Sequence, residues 1–366
     1  MSIKVDGLSK RFGDKLVIDN VSFVAADGEF VSLLGPSGCG KTTTLRCVAG
    51  LETPDAGRIE IGGRVVFDAA QGVAVPPHQR NIGMVFQSYA IWPHLTVFEN
   101  VAFPLQIRKL AKAEIARRVD ETLGLVGLGD LGERKSSELS GGQQQRVAVA
   151  RAIVQSPDAM LHDEPLSNLD AKLRDRTRAE IHRLQRALKI AAMYVTHDQA
   201  EALALSDRVL VMNEGRVVQE GTPREIYEQP ASEFVADVAG AANFLDVVSE
   251  AVDAGSARVR LPGGATVDVR RGNLAGGPGR LILRPDRIAI APADATADLP
   301  LARISGTVRQ RLYQGSHFEY VVVIDGETSV RVFARREIAE ATPVLLGIDG
   351  PDCVLIGSEA AKREAG

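Results

Sequence analysis

The stretch Gly35-Pro36-Ser37-Gly38-Cys39-Gly40-Lys41-Thr42 fits the pattern G-x-x-x-x-G-K-[ST], and no other part of the chain restricts its folding so tightly. Before it, Phe30-Val31-Ser32-Leu33-Leu34 is a short apolar run between Gly28 and Gly35, which predicts a buried strand. After it, Thr42 to Val48 predicts a helix closed by Gly50. In a strand–loop–helix unit of this kind, glycines let the backbone curl until successive N–H groups point at one anion. The helix N-terminus adds favourable partial positive charge. Gly35, Ser37, Gly38, Cys39, Gly40, Lys41, Thr42 and Thr43 are therefore candidate phosphate-binding residues. Lys41 supplies a full charge, and the Thr42 hydroxyl suits Mg²⁺. Cys39 reads as a small filler, because no base lies near it in sequence.

Further strand–helix units run from Gln143 through Ala159-Met160-Leu161 and from Ala171 through Met193-Tyr194-Val195-Thr196. Buried strands alternating with helices predict a largely parallel α/β sheet covered on both faces. Near Gly240 the texture changes to short β-branched runs punctuated by turns such as Pro262-Gly263-Gly264 and Gly276-Gly277-Pro278-Gly279, which predicts a small all-β barrel. The expected division of the 366 residues is 1–238 and 239–366. A formal net charge of −4 gives no reason to expect a nucleic-acid partner. The basic residues between Lys172 and Arg178 are interrupted by acids and read as a solvated helix face. Cys39, Cys47 and Cys353 have no metal-ligand spacing and are expected as reduced thiols. No apolar run reaches ~18 residues, so any membrane role requires docking on a partner that spans it.

Asp163-Glu164-Pro165 follows the apolar run at residues 159–161, at the strand end where α/β sheets bind ligands. Asp163 is the candidate metal carboxylate and Glu164 the candidate general base. His162 is either a ligand or proton shuttle, or a structural histidine on the opposite strand face, hydrogen-bonded or half exposed. Strand alternation favours the second.

Leu139-Ser140-Gly141-Gly142-Gln143-Gln144-Gln145-Arg146 opens a second helix with a polar cap, another anion-binding terminus. It resembles the signature motif of ABC ATPases, and the remaining motifs follow in that family's order over about residues 3–235. The resemblance implies an ABC-type P-loop NTPase domain with a helical subdomain, hydrolysing ATP with Mg²⁺. It implies that Gln87 touches Mg²⁺ and the attacking water, that His197 acts near the γ-phosphate and that Phe12 stacks on adenine. The alternative for Phe12, the less favoured one, is an edge-strand aromatic. Two copies of the chain are implied to face head-to-tail, Ser140, Gly141, Gly142 and Gln143 of one closing over ATP held by the other, with Asp170 at the interface. Integral membrane permease subunits, and indirectly a substrate-binding protein, are the other implied partners, placing the chain at the cytoplasmic face of the inner membrane. Residues 88–100 lie where the family meets its permease. Tyr89 and Trp92 are possible anchors there, unless Trp92 only packs within the helical subdomain.

The β-rich tail resembles the OB-like TOBE regulatory domain of importer ATPases, through Gly306-Thr307-Val308 and Tyr313-Gln314-Gly315-Ser316. Its sparse aromatics argue against single-strand nucleic-acid binding. Local texture at residues 86–89 and 143–146 points to polyamine cargo, with ferric iron, sugar or another small solute as alternatives. Two rivals remain: a soluble non-transport ABC ATPase, which normally carries tandem cassettes, and a P-loop phosphotransferase, which has no use for residues 140–143.

Overall fold

A computed structural model describes residues 2–252, 255–272, 277–295, 299–300 and 302–357, divided into two compact units at Pro223/Arg224. The first opens with β1 (Ile3–Phe12) and β2 (Lys15–Ala25), then β3 (Phe30–Leu34) and α1 (Lys41–Ala49). There follow β4 (Ala56–Ile61), β5 (Arg64–Asp68), β6 (Val73–Ala74), β7 (Ile82–Val85), α2 (Val97–Ile107) and α3 (Lys112–Leu125). α4 (Gly141–Ile153), β8 (Ala159–Asp163), α5 (Ala171–Leu188), β9 (Ala191–Thr196), α6 (Gln199–Leu205), β10 (Arg208–Asn213) and β11 (Arg216–Gly221) complete it.

The central sheet has the order β11-β10-β3-β9-β8-β7 and is parallel apart from the β10–β11 pair. Every residue of β3, β8 and β9 is buried, as continuous apolar runs require when both sheet faces are covered. One face packs on α1 and on a separate antiparallel sheet, β2-β1-β4-β5-β6. That second sheet is not among the sequence expectations. Its β1 strand alternates buried and exposed residues and is broken by bulges, so no single strand signal survives. The other face packs on the helical subdomain built from α2, α3 and α4, with α5. α2 starts at a capping box, Thr96 accepting from Glu99 N–H and Glu99 accepting from Thr96 N–H. Buried Asn100 holds the preceding segment by donating to the Thr96 carbonyl at 2.9 Å and the Ser136 hydroxyl at 2.7 Å.

The register decides where the site falls. Leu34 pairs with Thr196, and Asp163 with Val195, so the loops leaving β3, β8 and β9 emerge side by side at the carboxyl edge.

The second unit begins at Arg224, fifteen residues before the expected boundary at 239. Its described residues form most of α7 (Pro223–Glu228), α8 (Glu233–Ala239) and ten strands, from β12 (Asn243–Val252) onward. The next are β13 (Ser256–Arg260), β14 (Thr266–Arg271), β15 (Gly277–Leu283), β16 (Ala289–Pro292) and β17 (Ala302–Tyr313). The last are β18 (Phe318–Ile324), β19 (Thr328–Ala334), β20 (Pro343–Ile348) and β21 (Cys353–Gly357). A closed barrel, β12-β13-β14-β21-β15, is joined by a five-stranded sheet, β16-β20-β17-β18-β19, sharing one apolar core. The expected single barrel is therefore half of this unit; Gly276 and residues 358–366 of the expected domain lie outside the described residues. The boundary moves because Ala236 of α8 packs with barrel residues Ile282, Val354 and Ile356.

Candidate active site

The loop after β3 is shaped by close approach. A Cβ on Gly35 would lie 2.3 Å from the Met212 carbonyl oxygen, and one on Gly40 would lie 2.6 Å from that of Val17. Gly40, at φ 105°, caps α1 with a conformation side chains rarely adopt. Lys41 is buried and folds over the loop, its Nζ donating to the carbonyls of Gly35 at 2.7 Å and Pro36 at 2.8 Å. Cys39 is buried with Sγ 3.8 Å from that Nζ, as expected of a filler. Phe12 ends β1 and pairs with Lys15 of β2 across the hairpin, two residues before Val17. It is 47% exposed, with the Lys10 ammonium 5.1 Å from the ring centroid.

Asp163 ends β8 and is almost fully buried. Burial pushes its carboxyl above the usual range; Arg46 and a hydrogen bond from Thr42 pull it back, while Glu164 adds to the rise. Thr42 and Asp163 thus come from two elements to one point and offer hard oxygen ligands, which fit Mg²⁺. Among the described residues there is no cluster of three or more His, Cys, Asp or Glu able to hold a metal. A Mg²⁺ site built on one or two carboxylates plus substrate phosphates does not require one.

Glu164 sits at φ 44°, the left-handed region that non-glycine residues seldom occupy. Its N–H donates to the Val195 carbonyl at 3.0 Å, and its own carbonyl accepts from the Ser167 hydroxyl at 2.9 Å. The turn sends the carboxylate to His197, whose Nδ1 lies 3.0 Å from Glu164 Oε2. An ionised carboxylate only accepts, so Nδ1–H is the donor there. Gln87 is exposed, and its carbonyl accepts from Asn168 Nδ2 at 2.8 Å, tying the segment after β7 to the one before Asp170. Sequence reasoning missed this tie, because it runs through a backbone carbonyl that carries no side-chain signature.

Ser140 caps α4 in a capping box, donating from its N–H to Gln143 at 2.9 Å. Gly142 is close to α5, where an added Cβ would lie 2.9 Å from Leu173, and a Cβ on Gly141 would lie 3.4 Å from Leu169. These residues therefore flank Asp170, which is exposed and caps α5 through Leu173 N–H at 3.0 Å. Among the described residues no hydrogen bond joins residues 140–143 to Gly35, Ser37, Gly38, Gly40, Thr43 or Glu164; the bonds of Ser140 and Gln143 are to each other.

His162 departs from its expected setting. It is buried rather than half exposed, lies between Phe30 and Tyr194, and its Nδ1 has no hydrogen-bond partner. Burial pulls its pKa down to about 4, which leaves it neutral and away from the carboxylates. Tyr89, expected as an anchor, is also buried. Trp92 is partly exposed, 4.5 Å from the Phe103 ring and beneath the Arg151 guanidinium at 4.8 Å.

The ABC transporter family matches residues 18–167, and the TOBE domain family residues 281–356. A "Fe(3+) ions import ATP-binding protein FbpC" of Rhizobium etli is 45% identical over 97% of this chain and 98% of its own length. A "Trehalose/maltose import ATP-binding protein MalK" of Thermococcus litoralis is 54% identical over 69% of each chain. The dimeric structure of MJ0796, a bacterial ABC transporter cassette, is 32% identical with a TM-score of 0.51, covering 60% of this chain and 98% of that one. The expected polyamine cargo is not supported, because these import relatives are named for ferric iron and for sugars. The chain belongs to the ATP-binding subunits of ABC transporters: it is an importer-type ATPase whose nucleotide domain is followed by a TOBE-containing domain.

Proposed function

We propose that this ATPase drives import of ferric iron, through a sandwich of two copies of the chain docked on membrane permease subunits. Similarity to a ferric-iron relative covers 97% of this chain, so it includes the C-terminal domain, whereas the match to the trehalose/maltose relative covers 69%. The match to a trehalose/maltose subunit keeps sugar import as the second reading. The permease would meet residues 88–100 at the cytoplasmic face, with Trp92, Phe103 and Ile107 presenting apolar surface there. A separate binding protein would deliver the solute.

The single observation carrying the mechanism is the Glu164–His197 hydrogen bond beside the Lys41 loop. Gly35, Ser37, Gly38, Cys39, Gly40, Thr42 and Thr43 would cradle ATP phosphates, and Lys41 would exchange its two carbonyls for phosphate oxygens. Thr42, Asp163 and Gln87 would hold Mg²⁺, which when bound neutralises charge on the phosphates. Glu164 takes a proton from the attacking water, and His197 fixes the carboxylate through Nδ1–H. Phe12 would stack on adenine. Ser140, Gly141, Gly142 and Gln143 of the second copy would close the site, with Asp170 at the seam.

Glu164→Gln is expected to keep ATP affinity, lower turnover by at least about a hundredfold and accumulate an ATP-bound dimer on size exclusion. Wild-type turnover in that variant would remove Glu164 from the mechanism. Cells deleted for the chain should lose uptake of radiolabelled ferric iron and keep maltose uptake. The opposite pattern would establish the sugar reading.

A further inference from the structure

We infer that Arg174 is a positioning residue that couples the loop carrying Asp170 to the loop carrying His197, and so sets the base according to the state of the dimer seam. The inference rests on the roles of Glu164 and His197 proposed above. Arg174 lies in the first turn of α5, four residues after Asp170. Its Nη2 donates to the Leu169 carbonyl at 3.0 Å, and its Nη1 meets Asp198 Oδ2 at 3.5 Å. One guanidinium therefore holds the backbone just before Asp170 and the side chain just after His197. Its planar fork suits two acceptors at fixed separation, which a lysine ammonium does not reproduce.

Asp198 is not free to follow solvent. Its Oδ1 caps α6 through Ala200 N–H at 2.8 Å and Glu201 N–H at 3.2 Å, and its own N–H donates to the Thr196 hydroxyl at 2.9 Å. That hydroxyl donates to buried Glu201, which also accepts from Tyr194, each at 2.8 Å. The loop bearing His197 is thus anchored on a rigid buried network, and Arg174 supplies its side-chain link to α5. A shift of the Leu169–Asp170 backbone, as two copies meet or part, would be passed through Arg174 to Asp198. His197 and its hydrogen bond to Glu164 are one residue further on. Small misplacements at a catalytic base cost rate without weakening binding.

The test uses the complete transporter in proteoliposomes with Arg174→Gln, Arg174→Lys, Asp198→Asn and the Arg174→Gln/Asp198→Asn double variant. Asparagine caps helices as well as aspartate, so Asp198→Asn removes the charge pair while keeping the α6 cap. Each single variant should lower kcat for ATP about tenfold, with KM for ATP moving less than about twofold. The double variant should be no slower than the worse single one, because both changes cut one link. The cooperativity of hydrolysis with ATP should fall toward a Hill coefficient of about 1. Arg174→Lys should recover little. Wild-type kcat in Asp198→Asn, or losses that multiply in the double variant, would overturn the inference. If Arg174→Gln fails to fold, Asp198→Asn alone decides it. Wild-type turnover by Glu164→Gln would instead sink the underlying reading of the site, a result independent of any Arg174 variant.

Discussion

His162 and Asp163 are neighbours on one strand and face opposite worlds. Asp163 meets Thr42 on the α1 side, while His162 lies among Phe30, Tyr194 and a small cavity lined by Val149, Ile153, Ile181 and Leu184. Alternation along the strand was legible in the sequence, so the separation from catalysis could be read there. The depth of burial could not, because it depends on α4 and α5 closing over that face. The consequence is a sign-definite pH effect. The folded-state pKa of about 4 lies below the ordinary value of 6.5, so stability is fully present above pH 6.5 and is lost as pH falls toward 4. Linkage gives about 2 kcal/mol lost through this group alone between pH 7.5 and 5. His162→Met should abolish that increment. Urea unfolding followed by Trp92 fluorescence, at both pH values, measures it, and an unchanged difference between the two proteins would refute it.

At the scale of elements, the capping that Ser140 and Gln143 perform at the start of α4 can be separated from the nucleotide contact proposed for residues 140–143. Ser140 satisfies a helix N-terminus, and its capping box alone is worth about 1 kcal/mol. If it also meets the terminal phosphate of nucleotide held by a second copy, a negative charge placed there would repel that phosphate whatever it does for the cap. Ser140→Asp keeps a good cap and adds a negative charge. It is expected to leave the melting temperature within a few degrees while lowering ATP turnover at least about a hundredfold, measured by phosphate release. Turnover near wild type would place Ser140 in a purely structural role. The elements that carry the site were legible because β3, β8 and β9 are buried on both faces and read as continuous apolar runs. The antiparallel sheet β2-β1-β4-β5-β6 was not, since bulges interrupt its alternation. Links such as Asn168 to the Gln87 carbonyl and Arg174 to the Leu169 carbonyl end on backbone atoms, which leave no mark in a sequence.

At the scale of the whole molecule, the boundary between the two units shows how a change in texture differs from a change in packing. Strand-like sequence starts after Gly240, yet the second unit starts at Arg224: besides the packing of Ala236 on the barrel, one buried cation collects the intervening turns. Arg284, 4% exposed at the end of the barrel strand β15, donates to the carbonyls of Tyr227, Ala236, Gly240 and Ala241 at 2.9, 2.8, 2.9 and 3.1 Å, and its guanidinium lies 4.2 Å from the Tyr227 ring centroid. Those carbonyls are the free ends of α7 and α8, so a single side chain fifty residues downstream satisfies groups that helix geometry leaves open. Arg284→Met keeps much of the side-chain length and strips the donors, leaving buried acceptors unpaired at a cost of about 2–4 kcal/mol. The loss should be local. Hydrogen exchange should quicken across residues 227–241 and along β15, while unfolding of the nucleotide domain, reported by the chain's single tryptophan at position 92, stays unchanged. Unaltered protection of residues 227–241 would mean that the contacts of α8 with Ile282, Val354 and Ile356 suffice without the arginine.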